Sequence, residues 1–379
     1  MALTPNTLTG LTPTIYRALD IVSREIVGFI PSVSRDASEE MAAKDQIIRV
    51  PITPVSPLAY DITPASASPE SGEQSIGSAD MKITKARMVP VQWTGEEEKA
   101  LGGVVSEIMA QQFAQAMRKL ANEVEADLAL LYKKASRAYG TAGVSPFAST
   151  VADSAEIRKL LTQNGAPLTD MRLVVDAVAA SKLRSLTNLT HVNEAGNDST
   201  LRNGALLNLN GLQIRESAMI ASHTPGVYTT GDTTSADEPI GETAIAVNFT
   251  AGDYVAGDVV WFGTDTEHKY VVASVGTNVL NIASPGLKAA VASGSSVVQA
   301  DAFTPNLAFD FNAIKLLARQ PAMPSGGDSA DDVMVVTDPV SGLPFQIALY
   351  KQYRAKHYEI GLAWGCELIK PEHSIILLG

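Results

Sequence analysis

Few of the residue types that carry chemistry stand at spacings that would let them act together. The five histidines are His191, His223, His268, His357 and His373. None has a second histidine at metal-ligand spacing, and no HExxH occurs. His191 with Glu194 is the nearest approach to an acid/base pair, and in so polar a stretch it reads as two solvated loop groups. Cys366 is the single cysteine, which rules out an intrachain disulfide and any multi-cysteine metal site. It reads as a small apolar residue in a strand. No GxSxG elbow, Walker A loop or GxGxxG fingerprint is present. The pairs Gly102-Gly103 and Gly326-Gly327 suit a helix kink and a loop. Asp328, Asp331 and Asp332 read as a solvated loop before a strand, and Asp253 and Asp258 as turn acids without the ligand spacing of a calcium loop. The expectation is a chain with no catalytic residue, no cofactor and no metal.

Composition points the same way. At 379 residues the chain exceeds the usual single-domain size. Charged residues make up 18%, against roughly 25% in an average soluble protein, while 45% are hydrophobic. A subunit that buries its faces against neighbours can carry so few charges. The formal net charge of −12 disfavours general binding to nucleic acid or anionic membranes, which attract lysine and arginine. Residues 1–10 lack the basic region and apolar run of a signal peptide, and no run approaches the ~18 apolar residues of a membrane helix. The chain is expected to be made and used in a cytoplasm.

The elements that would position these residues follow from periodicity. Thr12-Pro13 starts a helix on which Ile15, Leu19, Val22, Ile26 and Phe29 form one stripe before Pro31 stops it. Residues 1–45 therefore read as an arm. Ile48, Val50 and Ile52 alternate as a strand, and Ile83 to Val91 reads as its return. Between them Pro51, Pro54, Pro57, Pro64 and Pro69 precede a polar tip, which describes a long two-stranded excursion rather than a central sheet. Such a ribbon is marginal alone in water and needs a surface to lie on. Thr94 with Glu97 has the spacing of a capping box. Beyond a kink at Gly102-Gly103, Val105, Met109, Phe113, Met117, Leu120, Val124, Leu128 and Leu131 predict one helix from 104 to 136, about 50 Å long.

A compact α/β unit follows, with helices at Ala155–Thr162 and Ala177–Leu186 and strands at Met171–Val175 and Leu206–Ile214, the polar loop 186–204 lying between. From 226 to 301 the texture becomes short strands: Ala244–Phe249, Val259–Phe262, Tyr270–Val275, Val279–Ile282 and Ser296–Gln299. Their regular turn signals suggest a small inserted β-barrel. It carries nine acidic residues against Lys269 and Lys288, over half the net charge of the chain. The α/β texture resumes at Phe309–Ala318. Strand-like runs at Phe345–Tyr350, Tyr358–Trp364 and Glu367–Leu378 close the chain, and Pro371 marks an edge or a bulge in the last.

This order resembles the HK97-type fold of tailed-phage capsid proteins, an α+β fold, and most closely the P-twenty-two-type coat proteins with an insertion domain. Val89-Pro90-Val91-Gln92-Trp93 leading into Glu96–Leu101 looks like the end of an extended loop entering the spine helix. Phe249–Asp253 through Gly257–Val260, then Ser284–Leu287, is similar to the insertion barrel. Asn306–Phe309 through Ala313 to Arg319 resembles the segment after the insertion. Asp338–Gly342, Tyr358 through Trp364-Gly365, and Lys370-Pro371-Glu372 look like the closing strands.

The resemblance implies an N-arm at 1–45, an extended loop at 46–96, and a spine helix with peripheral domain at 97–150. An axial domain at 151–225 and 303–335 is interrupted by the barrel at 226–302, and peripheral or axial strands fill 336–379. It implies a major capsid protein, not an enzyme. Hexamers and pentamers of the chain would form an icosahedral head that encloses DNA without sequence-specific binding or membrane. A scaffolding protein and portal would assist, with a decoration protein as a further partner. Assembly would occur in the host bacterial cytoplasm and end in the virion capsid. No lysine–asparagine crosslink motif matches. The candidate inter-subunit contacts are Ile15, Leu19 and Arg24 on the arm, and Glu70, Glu73, Asp80, Lys82 and Arg87 on the loop. An encapsulin-like cargo shell is the alternative within the fold class. From another class, the alternative is a monomeric hydrolase or carbohydrate-binding protein built around the β insertion.

Overall fold

The computed structural model describes residues 28–52, 77–101, 105–190, 206, 208–228, 231–249, 252–263, 265–324, 326, 330–339 and 341–379. The arm helix up to residue 27, the proline-rich excursion at 53–76, the Gly102-Gly103 kink, His191 with Glu194, and Asp328 lie outside them.

In chain order, β1 (Ser34–Ala42) precedes a ribbon of β2 (Ile47–Ile52) and β3 (Gly77–Lys82), then β4 (Lys85–Thr94). Helices α1 (Gly95–Leu101) and α2 (Val105–Ala129) lead through a 3-10 turn, Leu130–Lys134, into β5 (Arg137–Tyr139). The next unit is α3 (Ala152–Gln163), β6 (Met171–Val175), α4 (Ala177–Ser185), α5 (Thr187–Thr190) and β7 (Leu212–Glu216). Six short strands follow: β8 (Thr233–Thr234), β9 (Ala244–Asn248), β10 (Val259–Phe262), β11 (Lys269–Gly276), β12 (Val279–Ile282) and β13 (Val297–Gln299). The last are β14 (Pro305–Asp310), β15 (Ile314–Pro321), β16 (Asp332–Thr337), β17 (Pro344–Gln352), β18 (Ala355–Leu368) and β19 (Ser374–Leu378). The fold is mixed α+β.

Helix α2 forms where the 3–4 residue spacing predicts it, and Met109, Phe113, Met117, Leu120, Val124 and Leu128 are its buried face. The capping box at the head of α1 is present in full. The Thr94 N–H and hydroxyl both donate to the Glu97 carboxylate at 2.9 Å, and the Glu97 N–H donates to Thr94 Oγ at 3.3 Å. The spine ends earlier than Ser136. After Ala129 it tightens to 3-10, which turns Leu131 and Tyr132 into the core, and Ala135 is already extended (φ −64°, ψ 156°). That frees Arg137–Tyr139 to pair with β11 and β19. At ~1.5 Å per residue the α-helical part is about 37 Å long.

Two large sheets flank the spine. In the first the order is β1-β15-β18-β17-β16, with β4 also on β18. The long β18 carries β4 along one edge, Ala355–Trp364, and along the other β17 at Ala355–Gly361 followed by β15 at Ala363–Leu368, so one strand stitches three neighbours together. Phe113 meets Tyr358 edge-on at 5.4 Å between ring centroids, fixing the spine to this sheet. The second sheet runs β7-β6-β14-β19-β5-β11-β12-β9-β8, with β10 and β13 attached through β11.

Two expectations shift. The strand foreseen at Leu206–Ile214 starts only at Leu212, because Asn210 and Gly211 take positive φ (51° and 80°) in a tight turn. Pro371 makes neither an edge nor a bulge. It opens the 3-10 turn Pro371–His373, where its missing N–H costs no ladder bond, and the turn carries the chain from the first sheet to the second. There β19 lies fully buried between β14 and β5.

The strands from β8 to β13 fall within a residue or two of the pattern in the sequence, apart from β8, which the pattern did not predict. They close on themselves: Thr233 bridges Ser296, and the Val297 N–H donates to the Asp232 carbonyl at 2.9 Å. Ile245, Val247, Val260, Phe262, Leu280 and Leu287 fill the ring. This ring is not detached, because Lys269 and Tyr270 of β11 pair with Ala138 and Arg137 of β5.

The β2–β3 ribbon pairs only with itself, from Ile47↔Lys82 to Ile52↔Gly77. Its root rests on β18, where a Cβ at Gly365 would fall 2.0 Å from the Lys82 carbonyl oxygen. Gly365→Ala must therefore push the ribbon off β18. The expected cost is about 3 kcal/mol, read as a lower urea midpoint with faster amide exchange in 77–83. An unchanged midpoint would show that the root is not held there.

Candidate assembly interface

Among the expected contact residues, Ile15, Leu19, Arg24, Glu70 and Glu73 lie outside the described residues. The other three sit on the ribbon and β4, each exposed and each ion-paired within the chain. Asp80 meets Arg49 across the ribbon at 3.2 Å, Lys82 meets Asp45 at 2.9 Å, and Arg87 meets Glu123 of the spine at 3.3 Å. Lys82 also holds the Asp45 carboxyl below its ordinary value, chiefly by hydrogen bonding. Exposed pairs of this kind are worth little and can be exchanged for partners on another molecule. Ile47, 57% exposed, adds an apolar contact point at the base of the ribbon.

The root of the arm is built very differently. Glu125, on the flank of the apolar face of α2, accepts from three successive backbone amides: Gly28 at 3.0 Å, Phe29 at 2.6 Å and Ile30 at 3.1 Å. Burial pushes its carboxyl above the ordinary value, although those amides and the Ser217 hydroxyl pull it down. Phe29 stacks on Phe309 at 6.3 Å, and Arg172 donates to the Pro31 carbonyl at 2.7 Å. Gly28 has no room for a side chain: a Cβ would lie 2.6 Å from the Glu216 carbonyl and 2.7 Å from Ser217 Cβ. The carboxylate thus gathers the backbone donors of the first described residues, as a cap does at a helix start.

A second buried constellation joins the spine, the 217–225 crossover and the β8–β13 ring. Tyr132 Oη and His223 Nδ1 are 2.7 Å apart, and His223 Nε2 and Asp258 Oδ1 are 2.7 Å apart. Asp258 is wholly buried, and its other oxygen accepts from Gln299 at 2.6 Å, Val255 N–H at 2.7 Å and Gly226 N–H at 3.3 Å. Burial, with Asp258 nearby, pushes the Tyr132 phenol up to about 12. A tyrosine so held is not an acid or nucleophile near neutral pH; the relay is a fastening. Sequence spacing could not reveal it, since its members are 91 and 35 residues apart. Glu125 did leave a signal: it stands eight residues after Met117 and three before Leu128, on the same side of the spine.

The other histidine–carboxylate contact, His268 Nδ1 to Asp265 Oδ2 at 2.7 Å, is a half-exposed pair three residues apart on the β8–β13 ring. No set of three or more His, Cys, Asp or Glu residues there could hold a metal. Burial pushes the Cys366 thiol up to about 12, leaving it a poor nucleophile. No helix among them is long and apolar enough to cross a membrane.

No family model matches the chain, and neither does any curated protein. Solved structures do. One from Mycobacterium phage Che8 aligns over 93% of this chain and 91% of its own, at 16% identity and a TM-score of 0.50. The capsid structure of the Cyanophage P-SCSP1u covers 93% and 88%, at 14% identity and a TM-score of 0.47. A virus-like particle from Pyrococcus furiosus covers 96% and 98%, at 9% identity and a TM-score of 0.46. At such identities what this chain shares with the Che8 structure is its fold.

Proposed function

We propose that the chain is the major capsid protein of a tailed phage, built on the HK97-type fold with an inserted barrel as in the P-twenty-two-type coat proteins. The observation that carries this reading is the β2–β3 ribbon, whose strands pair with each other alone among the described residues and meet the body only at their root, where Ile83 packs on Ala363 and the Lys82 carbonyl lies over Gly365. A two-stranded ribbon gains its stability from a surface it lies on. A fold shared with a phage structure supports the same reading. In this assignment 1–45 is the arm, 46–96 the extended loop, 97–150 the spine and peripheral domain, and 151–225 with 303–335 the axial domain. The barrel occupies 226–302, and 336–379 completes the peripheral and axial sheets.

The mechanism is geometric. The arm and loop of each subunit cross onto neighbours in hexamers and pentamers, so every subunit is clamped by many weak contacts that enclose DNA without reading its sequence. Ile15, Leu19, Arg24, Glu70, Glu73, Asp80, Lys82 and Arg87 are the proposed contacts. A scaffolding protein and portal guide assembly in the host cytoplasm, a decoration protein is a further partner of the finished shell, and the product is the virion head. The chain serves as wall, not catalyst.

Electron microscopy and sedimentation of the expressed protein, alone and with a candidate scaffolding protein, should show closed particles of uniform size. Monomers under both conditions would end the proposal. Deleting residues 66–79 should abolish particles while leaving the circular dichroism and thermal unfolding of the subunit unchanged; normal shells from that deletion would refute the clamp.

A further inference from the structure

We infer that the cleft beside the arm root receives the last turns of the arm of the same copy, with Val22 and Ile26 as its apolar anchors. The spine shows a second face there. Ala126 and Ala129 of the spine, with Leu130 and Lys133 of the 3-10 turn that follows it, line a cleft of 500 Å³ whose opposite wall begins at Met219. Val255 borders it from the β8–β13 ring. Leu130 is 50% exposed and Val255 39%, an apolar rim without cover among the described residues. Two alanines on the helical wall leave space for a helix to lie close, the helix-in-groove mode of recognition.

The occupant follows from where the described chain begins. Gly28 is pinned to Glu125, the residue before Ala126, and its Cα faces Glu216 and Ser217, just ahead of Met219. The described chain thus begins beside the residues that lead into both walls. Twenty-seven residues precede it, carrying the stripe Ile15, Leu19, Val22 and Ile26. Ile26 lies two residues from the pin, within about 7 Å of it even fully extended, so this short tether favours the cleft of the same copy over that of any other. Ile15 and Leu19 lie further out and stay available to a neighbour. This inference does not rest on shell formation, and its test is read on unassembled subunits.

In the full chain carrying Ile26→Cys and Leu130→Cys, a short bis-maleimide should link the two thiols within one monomer, seen as a single intact mass with both thiols consumed. Linked dimers would place a neighbour's arm in the cleft, and the absence of any link would leave it empty; either overturns the inference. Independently, Leu130→Cys alone should react with a maleimide at least tenfold more slowly than the same variant carrying Val22→Asp and Ile26→Asp. Equal rates overturn it as well.

Discussion

Asp258→Ala is expected to cost about 4 kcal/mol of stability, because at least four groups lose their acceptor at once in a site closed to water. These are the His223 ring, the Gln299 amide and the N–H groups of Gly226 and Val255. Each orphaned buried group costs roughly 1–3 kcal/mol, and their sum is less than additive where the site can relax. His223→Leu should cost less, about 2–3 kcal/mol, since it strands only Tyr132 Oη and one carboxylate oxygen. Urea unfolding measures both. Amide exchange locates the damage: β10, β11 and the 217–225 crossover should open together, while β15, β17 and β18 keep their protection. A loss under 1 kcal/mol for Asp258→Ala would show that the relay does not fasten the ring to the spine.

Glu125→Ala should cost about 3 kcal/mol or more for the same reason, leaving three amides of the arm root without an acceptor. Glu125→Gln keeps one carbonyl oxygen and should cost about half as much. The two also separate by pH. Burial raises the Glu125 carboxyl above its ordinary 4.5, so the folded protein binds this proton more tightly than the unfolded chain. The stability that this contributes is complete at acid pH and is lost as pH climbs through the folded value. Measured against Glu125→Gln, which cannot titrate, the wild-type advantage should therefore shrink as pH rises from about 4 to 7. An advantage that grows with pH would mean that the three amides outweigh desolvation.

Much of the architecture was legible in the chain because its causes are local. The capping box at Thr94, the apolar stripe from Met109 to Leu128 and the short strands near 244–299 depend on propensity and period, which neighbours in sequence set. The spine end was misjudged for a non-local reason. Periodicity runs on past Ala129, but the pairing of Arg137–Tyr139 with β11 and β19 draws the chain out of the helix. Pro371 shows the same limit: a strand-breaking residue announces that a strand ends, not which sheet receives the next one.

The sequence alone determined the class of elements, their order, the low charge density and the absence of any spaced catalytic motif, since each is a property of neighbouring residues or of bulk composition. Only the tertiary structure decided which polar residues matter. Glu125, His223 and Asp258 look ordinary one at a time; folding brings groups nearly a hundred residues apart within 3 Å and removes the water that would otherwise satisfy them. Burial turns an unremarkable carboxylate into the fixed point of an arm or the fastening of a domain, and burial is a property of the whole chain.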